Sequence, residues 1–269
     1  MKIILDAVFP PKCLVCNRFF RPAAAPGSVQ PARTASQPMD PFAEFYLLLG
    51  TSCCPDCLQD FAVISPPICA CCGMLFKGRE DDNHLCGDCL MQPKEFRMAR
   101  AAMVYDHHLM AVIHRFKYAA KTQLARPLGR LIAGAYLRHW SNEQIDLILP
   151  VPLHPKKMRR RGFNQSYLLM ASWKSISSPL VDELGAIPVK TDVLVRNKAT
   201  LPQAGLGRQQ RLKNTRGAFE VRFPEEVYGK KVLLIDDVYT TGATVNECAR
   251  MLLRAGTRIV DVLTVARAV

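Results

Sequence analysis

No stretch of this 269-residue chain is long and apolar enough to form a membrane-spanning helix. Its opening, Met1-Lys-Ile-Ile-Leu-Asp-Ala-Val-Phe-Pro10, carries an early acid and lacks the small-residue cleavage site of a secretory signal. Membrane insertion is therefore not expected, and the reducing cytoplasm is the expected compartment. A standard P-loop is excluded as well, because G-x-x-x-x-G-K-S/T occurs nowhere. Acidic residues are scarce: 23 Asp and Glu stand against 36 Lys and Arg, for a formal net charge of +13 and a pI near 9.4. Cysteine is concentrated at one end, and of eleven only Cys248 lies beyond residue 90.

That uneven cysteine distribution predicts two units, a cysteine-rich module over residues 1–95 and a cysteine-poor α/β unit over 96–269. Four C-x-x-C pairs occur in order: Cys13/Cys16, Cys54/Cys57, Cys69/Cys72 and Cys86/Cys89. Two intervening residues let a tight turn present both thiolates to one Zn²⁺, and two such turns close a structural Cys₄ site. Sequential pairing gives one zinc on Cys13, Cys16, Cys54 and Cys57, and a second on Cys69, Cys72, Cys86 and Cys89. A cross-braced pairing of the same pairs also fits, with Cys53, Cys71 and His84 as spare ligands. A reducing compartment favours zinc over disulfides. The first site must close over an insertion at about 18–52, whose Arg21–Pro38 part is rich in Pro, Ala and Ser and predicts a mobile loop. Phe42–Leu49 is apolar enough to pack back as a short helix.

Beyond residue 96 the pattern alternates short apolar runs with helical periodicity. Strands are expected at Arg100–Tyr105, Ile145–Val151, Val193–Arg196, Ala218–Phe223 and Ile259–Val265, and helices at about Leu109–Tyr118 and Thr122–His139. The most informative run is Val232-Leu-Leu-Ile-Asp-Asp-Val-Tyr-Thr-Thr-Gly-Ala-Thr244. Its apolar start, too short for a helix, reads as a strand at Val232–Ile235 with Asp236 and Asp237 at its carboxyl end. There the pair can accept hydrogen bonds from vicinal ribose hydroxyls or sit near Mg²⁺. Tyr239, Thr240, Thr241, Gly242, Ala243 and Thr244 then turn backbone N–H groups and hydroxyls toward a phosphate at the start of a helix. That helix has an apolar face of Val245, Cys248, Ala249, Leu252 and Leu253. A single Asp here would read as a solvated helix cap; the pair, the Thr-Thr-Gly turn and the helical period together point to a phosphate site.

The excess positive charge lies mainly between His154 and Arg216. Leu153–Ser166 reads as a basic loop at the end of a central strand, the edge where open α/β sheets bind ligands. The segment Asn197–Arg216 reads as a basic lid, with Lys198, Arg208 and Arg211 available to a pyrophosphate or to nucleic acid. Phe163, Tyr167 and Phe116 with Lys117 and Tyr118 are candidates for stacking and contact with nucleic acid, each equally readable as core, and the core is expected for Phe116 and Tyr167. Lys117, in the His114-Arg-Phe-Lys-Tyr118 helix beside the sheet, has two readings, reach into an acceptor pocket or a solvated helix face, and the solvated face is the one expected.

Val232–Thr244 resembles the phosphoribosyl pyrophosphate (PRPP) motif of type I phosphoribosyltransferases. Together with the double C-x-x-C module, Arg161-Gly-Phe-Asn-Gln165 and the Gln203–Phe219 segment, it makes nearly the whole chain similar to the ComF family, also called ComFC or GntX-like. The resemblance implies an open, mainly parallel α/β sheet flanked by helices behind a small N-terminal double zinc ribbon. It implies ribose binding by Asp236 and Asp237, 5′-phosphate binding by Tyr239–Thr244, and pyrophosphate binding by Arg161 and Gly162, with Mg²⁺ accompanying PRPP. It further implies a part in DNA uptake during natural transformation. Two roles follow as expectations: a phosphoribosyltransferase with Asp236, Asp237 and Arg161 as its catalytic groups and an unidentified acceptor, or a non-catalytic module that binds single-stranded DNA and docks a helicase or another uptake protein.

Overall fold

The computed structural model describes residues 10–22, 40–76, 82–119, 121–171, 173, 184–198, 210 and 215–269. Most of the Pro/Ala-rich insertion, together with Arg208 and Arg211 of the expected lid, lies outside the described residues. Three short helices precede the sheet: α1 (Pro41–Leu49), α2 (Pro55–Gln59) and α3 (Gly87–Met91). Asp40 begins α1, its carboxylate accepting from the Ala43 N–H. The helices α2 and α3 begin on Cys54 and Cys86 respectively, so the second pair of each cysteine quartet is presented from a helix start.

The chain then runs through β1 (Ala99–Val104), α4 (His107–Tyr118), α5 (Ala125–Trp140) and β2 (Leu147–Pro150). It continues through α6 (Pro155–Arg161), α7 (Gln165–Ala171), β3 (Leu194–Arg196) and β4 (Phe219–Val221), and ends with β5 (Lys231–Tyr239), α8 (Ala243–Arg254) and β6 (Ile259–Arg267). Four strands form one sheet in the order β1-β6-β5-β2, every pair parallel, while β3 and β4 form a separate antiparallel pair. This is the open, mainly parallel sheet flanked by helices that the sequence predicts.

The apolar runs follow from burial on both faces, which removes any need for polar alternation. Along β5, Leu233 and Ile235 join the core formed with α4, α5 and α7, whereas Val232 and Leu234 join the core formed with α8 and β4. The cysteine quartets divide the same way. Cys13, Cys54 and Cys57 pack into the first core, and Cys69, Cys72 and Cys89 into the second. The N-terminal module is thus continuous with the sheet. Its backbone covers the β1 edge, since Ile64 N–H donates to Ala102 O and Val104 N–H to Ala62 O. At α5, Gly134 lets the Phe42 ring of α1 approach so closely that a Cβ would lie 2.7 Å from it, and Arg130 pairs with Glu44 of α1 at 2.8 Å.

Several expectations need correction. Leu153–Ser166 is not a plain loop: Pro155 occupies a first-turn position of α6 behind the His154 cap, and Gly162 ends that helix at φ 83°. Strand β5 runs past the acidic pair to Tyr239, because β6 keeps pairing with it as far as Arg267. Tyr167 is 42% exposed rather than buried, while Phe116 is fully buried as expected. Val189, outside the expected strands, bridges in parallel to Ile148 and extends the sheet beyond β2.

Candidate functional site

The site arises where the two neighbours of β5 part. Strand β2 pairs with β5 only as far as Pro150 opposite Ile235, whereas β6 stays paired through Asp236 and Tyr239. One residue past Ile235, the sheet therefore opens a cleft of about 390 Å³ at its carboxyl edge. Asp236, Asp237 and every residue from Tyr239 to Thr244 line it, opposite Lys157, Arg160 and Arg161 of α6. The sequence-predicted acidic pair, phosphate turn and Arg161 thus converge. Gly162 and Lys198 do not line the cleft: Gly162 is the C-terminal stop of α6, and the Lys198 ammonium lies beside Gly217.

Each carboxylate is held by its own partners. Asp236 Oδ1 accepts from the buried Ser166 hydroxyl of α7 at 3.1 Å and from the Asp237 N–H at 2.9 Å. Asn164 caps α7 by accepting from the Ser166 N–H, and its amide donates to Val151 O, which fixes that helix to the end of β2. Burial, with Asp237 alongside, pushes the Asp236 carboxyl up to about 7 against the pull of Lys117. Asp237 Oδ2 lies 2.6 Å from the Lys117 ammonium of α4. Burial by itself would lower the Lys117 pKa, but Asp237 outweighs it and holds the ammonium above its ordinary value. The expected solvated face for Lys117 is therefore overturned: Lys117 turns inward because a buried carboxylate needs a counter-charge.

The turn leads directly into α8. Gly242 precedes that helix at φ 73°, a conformation side chains other than glycine's rarely adopt. A Cβ there would also lie 2.2 Å from the Tyr239 hydroxyl. Thr241 Oγ1 accepts from the Ala243 N–H at 3.4 Å, and the positive end of α8 faces the cleft.

Across the cleft the cations crowd one another. Lys157 is held below its ordinary pKa first by burial and then by Arg196, Arg161, Arg160 and Lys117. Arg161 donates to Gln165 and its guanidinium lies 5.1 Å from the centre of the exposed Tyr118 ring. Arg196, at the end of β3, is buried against Phe219 and also lines the cleft. Such mutual repulsion is relieved by an anion. Sequence reasoning missed Ser166 and Arg196 as members of the site, and for Lys117 it preferred the solvated face over the pocket. For Arg196 the position directly before the basic segment was a usable signal; for Lys117 the helix beside the sheet was one, but its pairing with Asp237, over a hundred positions away, left no local trace.

The two cysteine quartets are assembled sequentially, Cys13/Cys16/Cys54/Cys57 and Cys69/Cys72/Cys86/Cys89, with the four sulfurs of each within 4.8 Å of one another. Cys16 and Cys54 sulfurs are 3.8 Å apart, and those of Cys72 and Cys86 3.6 Å. Tetrahedral ligation at a Zn–S distance of about 2.3 Å requires sulfurs about 3.8 Å apart. The two groups repeat one construction. The first sulfur of each accepts from the N–H of the third cysteine, Cys54 to Cys13 and Cys86 to Cys69, and from a second N–H within its own turn. Burial alone would raise these two thiols, but the converging N–H groups bring both down to about 6. The donor set, spacing and N–H support fit two structural zinc sites; the cross-braced pairing is not adopted, and Cys53 and Cys71 stay outside both groups.

The DNA utilization protein YhgH of Salmonella typhimurium is 34% identical over 185 residues, covering 68% of this chain and 77% of that protein. Competence protein F of Haemophilus influenzae is 32% identical over 190 residues, 68% of this chain and 78% of that protein. Competence protein ComFC of Bacillus subtilis is 25% identical over 224 residues, 80% and 83% of the two chains. A purine phosphoribosyltransferase from Pyrococcus horikoshii aligns with 53% of this chain at 16% identity and a TM-score of 0.28, too low to bear on fold or function. No protein-family model matches the chain. With a third of its aligned residues shared over most of both proteins, and with the cysteine pairs and acidic-turn motif in place, the chain belongs to the ComF family.

Proposed function

We propose that the cleft binds PRPP together with Mg²⁺ and that the protein is a phosphoribosyltransferase acting in the DNA uptake pathway to which its relatives' names point. The observation that carries this reading is the single cleft shared by a buried acidic pair, a Thr-Thr-Gly turn at a helix start and a crowded row of cations. In it Asp236 and Asp237 hold the ribose hydroxyls, and the N–H groups and hydroxyls of Tyr239–Thr244 hold the 5′-phosphate. Arg161 and Lys157 face the diphosphate; Lys198, Arg208 and Arg211 belong to the segment that would close over it. Bound Mg²⁺ would offset charge on the diphosphate oxygens. The chain's own contribution to transfer is positioning and charge stabilisation: cations favour departure of pyrophosphate, and a carboxylate of the pair lies where C1 of the ribose gains positive charge. The expected compartment remains the cytoplasm; no helix among the described residues is long and apolar enough to cross a membrane. In a thermal-shift test, PRPP with Mg²⁺ should raise the melting temperature of zinc-loaded protein, and the double variant Asp236→Asn, Asp237→Asn should abolish the rise.

One observation favours the second role, single-stranded DNA binding with docking of an uptake protein. Tyr118 is 64% exposed and Tyr167 42% exposed, on helices adjoining the basic α6. Exposed rings beside a row of cations suit stacking and backbone contact with single-stranded DNA. Fluorescence anisotropy against salt separates the roles. DNA binding falls steeply with salt, whereas enclosed PRPP binding depends on Mg²⁺ and on the acidic pair.

A further inference from the structure

Arg267, the last residue of β6, is 3% exposed and stands opposite Tyr239 in the parallel register of β6 and β5. One of its terminal nitrogens donates to Cys72 Sγ at 3.3 Å. Its guanidinium carbon lies 4.3 Å from the centre of the Tyr239 ring, and its Nε and Nη1 atoms are buried without a hydrogen-bond partner. The Tyr239 ring in turn packs edge-on against Phe96, and its hydroxyl fills the space above Gly242 where a Cβ would sit. A continuous line of contacts thus joins the second cysteine group to the turn that begins α8. Among the described residues, the group along it able to carry compensating charge is the second cysteine group, which Arg267 touches at the Cys72 sulfur. When that sulfur is a metal-bound thiolate, the Cys₄ group carries net negative charge and Arg267 is compensated. Without the metal the cysteine group carries less negative charge, and Arg267 is held over Tyr239 by its ring contact with weaker compensation.

We propose that Arg267 is a positioning residue that couples the metal at Cys69, Cys72, Cys86 and Cys89 to the order of the Tyr239–Thr244 turn, so that the second zinc sets how well the turn holds an anion. The anion-binding consequence rests on the reading of the turn as a phosphate site; the coupling itself does not. The test therefore needs no ligand. Hydrogen exchange of amides 240–244 would be followed in zinc-loaded wild type, in Arg267→Lys, in Cys86→Ser and in Cys16→Ser, with amides 147–150 of β2 as the reference for global loosening. Cys86→Ser, with loss of the second zinc checked by metal analysis, leaves in place the sulfur that Arg267 touches. Arg267→Lys keeps the charge but loses the planar group that spans sulfur and ring.

Exchange of the turn should quicken about tenfold or more in both variants while β2 stays protected, and Cys16→Ser should leave the turn close to wild type. If Cys86→Ser also loosens β2, the milder Arg267→Lys decides by the same criterion. An unchanged turn in Arg267→Lys overturns the proposal, and so does equal loosening by Cys16→Ser. PRPP titrated into the same wild-type sample reports separately: a quickened turn without PRPP binding would sink the phosphate reading and leave the coupling standing.

Discussion

Asp236 makes the site's pH behaviour specific. Its carboxyl ordinarily titrates at 3.8 but is pushed up to about 7 by burial and by Asp237. Between these values the folded protein holds a proton that the unfolded chain has released, so stability falls as pH rises from about 4 to about 7. Asp236→Asn keeps the acceptor for Ser166 and for the Asp237 N–H while removing the charge. The variant should therefore be more stable than wild type at pH 8, by roughly 2 kcal/mol after discounting for relaxation, and nearly equal to it below pH 4. Urea denaturation at both pH values checks this; an equal difference at both would contradict it. Lys117→Met should act in the opposite sense, since it strands Asp237 as a buried, unpaired carboxylate at a cost of about 3 kcal/mol. The same denaturation series measures that loss, and adding Asp237→Asn to Lys117→Met should recover most of it.

At the scale of elements, the turn between β5 and α8 is held in place by Gly242. Gly242→Ala meets both a left-handed φ and the Tyr239 hydroxyl, so it should cost about 1–3 kcal/mol and displace the ring or the turn. A lowered melting temperature together with lost thermal response to PRPP is the expected outcome; unchanged values would mean that the turn is not templated by Tyr239. Much of this element was legible in advance. Val232–Ile235, the helical face of Val245, Cys248, Ala249 and Leu252, and the final strand all carry periodicity that burial enforces. The basic stretch Leu153–Ser166 was not, because a run of cations has no apolar period to reveal α6, and only Pro155 and Gly162 mark its ends. Lys117 and Val189 were illegible for a different reason. Their environments are set by Asp237 and Ile148, distant in sequence, and local pattern carries no information about either pairing.

For the whole molecule, the cysteine module is an integral wall of the sheet. Cys13, Leu14, Phe42, Phe45 and Leu49 share one core with Leu109, Ile113, Leu128 and Ile132 of α4 and α5. We propose the division at residues 95 and 96 as a division of roles and not of folding. Residues 96–269 produced alone should bind a hydrophobic dye and unfold with low cooperativity, because α5 loses Phe42 and Arg130 loses Glu44. A sharp, dye-free transition would contradict the shared core. Calorimetric titration of PRPP into zinc-loaded protein, with and without Mg²⁺, shows whether the cleft at the end of β5 is a ribose-phosphate site. Saturable, Mg²⁺-dependent binding that is lost in the Asp236→Asn, Asp237→Asn double variant is expected; no binding at millimolar PRPP, or binding that survives in the double variant, would rule such a site out.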